Sequence, residues 1–107
     1  MKLWVDDVRP APNGYVWYKS VNEAQKAIFN YEIMYAVSGC KEFYKIELID
    51  IDHDAGDYAS EGGDYIKLLD WLEETGRNYP IRIHSMNPVG RENMRRIIQK
   101  NGWKEVK

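Results

Sequence analysis

The stretch that most restricts the fold is KIELIDIDHDAG, residues 45–56. Ile46, Leu48, Ile49 and Ile51 make the near-continuous apolar run of a strand buried in a parallel sheet. Acid and imidazole crowd its far end: Asp50, Asp52, His53 and Asp54, closed by Gly56. Two other segments share the design. KLWVDDVRP passes from apolar residues into Asp6, Asp7 and Arg9, and IRIHSMNPVG passes into His84, Ser85 and Asn87. In open α/β sheets ligands bind beyond the carboxyl ends of the strands. Three strands delivering polar chemistry at one end therefore predict a shared site.

The rest of the chain supplies the elements between them. Lys2 to Val8 is the expected first strand, which the loop Arg9–Gly14, with two prolines and an Asn-Gly pair, must leave. Tyr15 to Tyr18 is a short extended piece. Ser20 and Glu23 form a capping box, and Ala24, Ala27, Ile28, Tyr31, Met34 and Tyr35 recur at helical spacing, so a helix should run to about Ser38 and stop at Gly39. Ser38 to Glu42 is read as a turn. After the acidic burst, Asp57 to Gly63 is a polar loop placed to cover the site. Asp64 is a cap for a helix whose buried stripe is Tyr65, Leu68, Leu69 and Leu72. Ile81 to His84 is another strand, Pro88 opens a helix with Met94, Ile97 and Ile98 inward, and Trp103 to Val106 is a short last strand. Trp4 and Trp71 are expected in the core, and Tyr15, Trp17 and Tyr58 near the mouth of the site, where they could stack on a base.

Strands alternating with helices imply a parallel sheet with helical crossovers. The expectation is one α/β domain over residues 1–107: about four strands and three helices, a truncated receiver- or flavodoxin-like arrangement. At 107 residues with 44% hydrophobic content the chain suits one self-sufficient core. A formal charge of −2 argues against a duplex-DNA binder. The charge is uneven, however: from Pro88 onward Arg91, Arg95, Arg96, Lys100, Lys104 and Lys107 face only Glu92 and Glu105. An acidic centre with a basic flank suits metal-assisted handling of a phosphate ester. The single cysteine, Cys40, fits a reducing compartment, and with neither a signal peptide nor a membrane-length apolar run the expected location is the cytoplasm.

Asp6, Asp7, Asp52 and Asp54 converging from two strands repel one another unless a cation or proton sits among them, and hard oxygen ligands suit Mg²⁺ or Mn²⁺. An EF-hand is the rival, since Asp50, Asp52, Asp54 and Glu61 fall on its ligand positions. It fails because Ala55 stands where the loop needs glycine and a strand pattern precedes it. His53 and His84, the only histidines, can serve as acid and base on one phosphodiester or as metal ligands. Ser85, Asn87 and Arg91 border a helix start, where free amides and a guanidinium can hold phosphate oxygens, and Arg9 is a second clamp or a counter-ion.

WVDDVRP, DHD followed by glycine, and HSMNPVGRENM together make the chain resemble the cyclic-phosphate processing receiver-like domains, a shortened relative of response-regulator receivers. The resemblance implies action on cyclic phosphates in nucleotide or nucleic-acid metabolism. By position it assigns Asp6 and Asp7 as the family's paired acids, Asp52, His53 and Asp54 as its central motif, and His84, Ser85, Asn87 and Arg91 as its third. Ala55, a longer helix after Ser20 and the additional acid Asp50 depart from the family pattern. The expected activity is opening of a cyclic phosphodiester, in a cyclic-nucleotide signal such as those of phage defence or at a 2′,3′-cyclic phosphate RNA end. Two rivals are a receiver in which Asp52 or Asp54 accepts a phosphoryl group, with Lys104 as its lysine, and a cyclic-nucleotide sponge without turnover.

Overall fold

The computed structural model describes residues 1–107. Five strands, one more than expected, form a single parallel sheet: β1 (Lys2–Val5), β2 (Tyr15–Tyr18), β3 (Leu48–Ile51), β4 (Ile81–Ile83) and β5 (Glu105–Val106), in the order β2-β1-β3-β4-β5. The extra member is β2, whose four partly exposed residues pair with β1 at the sheet edge. The helices are α1 (Val21–Val37), α2 (Lys41–Tyr44), α3 (Ile66–Glu74) and α4 (Pro88–Asn101), with a 3₁₀ turn over Gly56–Ser60. Thus α2 replaces part of the expected turn around Cys40, and the 3₁₀ turn occupies the loop after the acids.

Local chemistry sets the ends. Ser20 Oγ accepts from the Glu23 amide to start α1, and Glu23 returns a bond to the Lys19 amide. Asn87 Oδ1 accepts from the Gly90 amide, Pro88 takes the first turn, and Gly102 ends α4 with φ +67°. β1 stops at Val5, three residues short of the expected end, because Asp6 Oδ1 accepts from the amides of Val8 and Arg9 and bends the chain. Asp64 does not cap α3; its carboxylate accepts from the Ala55 amide and ties down the loop after β3.

Register divides the sheet into two unlike faces. Leu3 pairs with Ile49 and Ile49 with Ile81; Val5 pairs with Ile51 and Ile51 with Ile83. All six enter one core cluster with Val21, Ala24, Ile28, Leu68, Leu72, Met94 and Ile98 from the helices. α1 packs on α3 and α3 on α4, so the helices make one layer on this face. The alternate residues, Trp4, Asp50 and Arg82, are also paired neighbours and point to the other face. No helix joins β1 to β2. The link through residues 6–14 folds back instead, with Trp4 Nε1 donating to the Arg9 carbonyl and Trp17 Nε1 to the Asp6 carbonyl. Trp4 is accordingly buried outside the helical core, and Trp71 is only half-buried. Met34 and Tyr35 of α1, expected inward, are exposed along with Phe29 and Ile33. No helix is long and apolar enough to cross a membrane.

Candidate functional site

Ladder hydrogen bonds run one residue past the strands and fix the site. The Asp6 amide donates to the Tyr18 carbonyl, Asp52 to Val5 and His84 to Ile51. Since Val5, Ile51 and Ile83 are in register, Asp6, Asp52 and His84 form the next row across the carboxyl end of the sheet. One ligand atom from each of these three lies within 4.8 Å of the others, a grouping that could hold a metal ion.

His84 is the most constrained member. Its Nε2 lies 2.9 Å from Asp6 Oδ2 and its Nδ1 2.7 Å from Asp50 Oδ1, and its ring stacks on Trp4 at 3.8 Å between centroids and 2° between planes. The His84 side chain is 7% exposed, and both carboxylates are fully buried. A neutral imidazole carries one N–H, so two such contacts need two hydrogens, or one hydrogen and a metal ion. Burial pushes the Asp6 carboxyl up, but the amides of Arg9 and Val8, together with His84, outweigh it and hold the carboxyl below the usual range. Arg82 Nη1 completes the network 2.9 Å from Asp50 Oδ2.

Asp50, which the sequence marks as an extra acid able to alter how a metal is held, sits behind the imidazole and not among the strand-end ligands. Its signal is an acid in the middle of an apolar strand. A carboxylate on the far nitrogen of a ligating imidazole fixes its tautomer and orientation, as metal-binding histidines generally require. The donor set of Asp6, Asp52 and His84, backed by Asp50, fits a divalent ion.

The expected ligands Asp7 and Asp54 are arranged differently. Asp7 Oδ2 lies 2.4 Å from where a Cβ on Gly56 would stand, so the carboxylate reaches the loop after β3 only because that residue is glycine, at φ +54°. Burial raises the Asp7 carboxyl, and the charges of Asp6 and Asp52 add to this against its own backbone amide. Asp54 is turned outward, its side chain 63% exposed, with Oδ1 on His53 Nδ1 at 2.8 Å. It belongs with His53, not with the strand-end row. The reason is alternation: Asp52 faces the row, so His53 turns the other way, onto α4, where its ring lies against Gly90. The two imidazoles do not form one facing pair.

Around this centre Arg9 Nη1 bonds the His84 carbonyl and Arg91 Nη1 the Ser85 carbonyl. Ser85 is buried, with Oγ accepting from the Asn87 amide, and Asn87 caps α4, so both hold the loop in shape. Lys104 lies at the opposite end of the sheet: its carbonyl accepts from Ile81, at the start of β4, and it cannot serve the acids at the strand ends. Tyr15 packs edge-on to Trp4.

No curated protein and no solved structure matches the chain. A family profile, that of the cyclic-phosphate processing receiver domain, matches residues 1–100. With a receiver-like parallel sheet and acids and a histidine gathered at its carboxyl end, the chain belongs to the cyclic-phosphate processing receiver domain family.

Proposed function

We propose that this protein is a phosphoesterase that opens a cyclic phosphodiester, in a cyclic nucleotide or at a 2′,3′-cyclic phosphate RNA end. The observation that carries the reading is the row Asp6, Asp52 and His84, with Asp50 behind the imidazole, in a chain of a cyclic-phosphate family. Two carboxylates and an imidazole suit Mn²⁺ better than Mg²⁺, which prefers an all-oxygen shell. An ion held there would act as a Lewis acid on the phosphoryl group.

His53 is assigned the proton transfer. Asp54 on Nδ1 orients the ring and leaves Nε2 to take a proton from water. The water oxygen forms the new P–O bond, the ring P–O bond breaks, and the departing ribose oxygen is protonated by solvent. Asp52 and His53 diverge to opposite sides of the chain just past β3, so a phosphate served by both lies across the tip of that strand, its oxygens toward the row and its attacking water toward His53. This divides the labour expected of the two histidines: His53 moves the proton and His84 holds the ion. Arg9 and Arg91 orient the phosphate with the N–H groups that their carbonyl contacts leave over, and Ser85 and Asn87 keep that loop in place.

The test is turnover of nucleoside 2′,3′-cyclic phosphates, cyclic dinucleotides and cyclic-phosphate-ended RNA, with Mn²⁺ and with chelator. Turnover should need the ion and fall about 100-fold or more in His53→Ala. Recovery of every substrate intact after denaturation would make the protein a sponge, and a stable acyl-phosphate on Asp52 after treatment with a small phosphodonor would make it a receiver. Unchanged turnover in both His53→Ala and Asp52→Asn would remove the assigned site.

A further inference from the structure

Beside His84 the sheet edge opens into a groove of about 330 Å³ that shares His84 with the ion row and Arg91 with the reacting phosphate and otherwise lies outside both. It is lined by the ends of β4 and β5 and by the first half of α4, and its cations are Arg82, Arg91, Arg95 and Lys107. The register explains their meeting. Arg82 pairs with Val106, which brings Lys107 level with Ile83, while Arg91 and Arg95 stand one turn apart on α4.

The groove keeps an excess of positive charge in a chain whose formal net charge is −2. Glu105 is its one carboxylate, shared between Arg95, which chelates it through Nε and Nη2 at 3.0–3.2 Å, and Lys107 at 3.2 Å. Arg82 leans on buried Asp50 through Nη1 alone, and Arg91 meets only a carbonyl. The N–H groups that Arg82 and Arg91 keep free, beside an Arg95–Lys107 pair that outweighs the single charge of Glu105, suit phosphate oxygens, which accept paired N–H donors from arginine. A solvated helix face alone would not bring cations from β4, from the residue after β5 and from α4 to one concavity that begins at His84.

We infer that this groove is a second phosphate subsite, holding the phosphodiester of the nucleotide next to the reacting cyclic phosphate. Its position relative to the reacting end rests on the activity proposed above; its charge does not. The ligand is a short oligonucleotide whose backbone runs from the strand-end row along β5, and a mononucleotide leaves the groove empty.

The experiment measures affinity by calorimetry for a nucleoside 2′,3′-cyclic monophosphate, a cyclic-phosphate-ended dinucleotide and a cyclic dinucleotide, with turnover followed separately. The ended dinucleotide should bind about tenfold tighter than the mononucleotide, with affinity falling more steeply as salt rises. Lys107→Gln, on a side chain 78% exposed and so harmless to folding, and Arg95→Gln should each narrow that ratio, and together bring it below about twofold. A ratio near one in the wild type, or one unchanged in both variants, overturns the subsite. Tighter binding of the ended dinucleotide assigns the subsite to RNA ends, and tighter binding of the cyclic dinucleotide assigns it to a cyclic signal. Absence of turnover with the ratio intact overturns the hydrolytic reading alone; turnover of all three at equal KM overturns the subsite alone.

Discussion

Replacing Gly90 with alanine should reverse its effect on stability according to whether His53 is present. A Cβ on Gly90 would stand 2.4 Å from His53 Cγ, 2.6 Å from Cδ2 and 2.9 Å from Nδ1. Cγ is one bond from Cβ, so only χ1 or the backbone can move it. A χ1 rotation of about 30° costs ~0.5–1.5 kcal/mol and carries Cγ only about 0.7 Å. Relief to an ordinary carbon contact of ~3.5 Å needs about 1 Å or more. The ring must therefore change rotamer and give up Asp54, or α4 must shift, at an overpacking cost of ~1–3 kcal/mol. Against this, alanine is favoured over glycine in a helix by up to about 1 kcal/mol, less in the first turn where Gly90 sits. Gly90→Ala should thus destabilise the wild type by about 1 kcal/mol, yet stabilise His53→Ala by about 0.5 kcal/mol, a coupling of ~1.5 kcal/mol. Urea unfolding of the four proteins at pH 7 measures it. Equal effects in both backgrounds, within ~0.3 kcal/mol, would refute the contact.

Asp50→Ala leaves His84 Nδ1 and the Arg82 guanidinium without their carboxylate, and should cost about 3 kcal/mol by urea unfolding; a loss under ~1 kcal/mol would mean the network is not formed. On the helix layer, burial raises the Glu32 carboxyl, but hydrogen bonds from Arg77, at 2.7–3.1 Å, and from the Tyr79 hydroxyl outweigh it and hold it below 4.5. A depressed acid stabilises the fold above its unfolded value and loses that contribution as the pH falls through its folded one. Glu32→Gln should therefore cost about 1–2 kcal/mol at pH 6, with the gap from wild type closing as the pH drops below 4.5; a gap that widens in acid would reverse the sign. Mn²⁺ at ten times its Kd should stabilise the protein by about 1.4 kcal/mol, several degrees in Tm, and leave Asp52→Asn unmoved. An equal shift in both would place the ion elsewhere.

Much of the fold is legible because each element is consistent within itself. The three apolar runs ending in acid or histidine became β1, β3 and β4, and the Ser20 and Pro88 signals sat at helix starts. What stayed hidden depends on relations between segments. Tyr15–Tyr18 was legible as an extended piece, but four partly exposed residues after a proline-rich loop carry no pattern to mark β2 as a member of the sheet. The grouping of Asp6 with Asp52 and His84 comes from parallel register, which no single segment encodes. Alternation after Ile51 was readable, and it separates Asp52 from His53. Counting all four aspartates as one metal set overlooked it.

The missing helix between β1 and β2 gives the buried charges their meaning. A sheet face without a helical layer would ordinarily be solvated and polar, yet here Asp6 and Asp50 are fully buried beneath a stacked Trp4 and His84. Ion networks of this kind seldom stabilise a fold more than apolar residues of equal volume would, because desolvating each charge costs several kcal/mol. A protein of 107 residues has little stability to spare for them. Every polar atom in the network is nonetheless satisfied, and its open end is the row at the carboxyl ends of the strands. Stability alone does not account for the arrangement, which fixes one imidazole and one carboxylate in a row that could hold a metal ion. The β1–β2 link closes over the network in place of a helix, with Asp6 on His84, Arg9 on the His84 carbonyl and the Trp4 and Trp17 indoles bonded to its carbonyls.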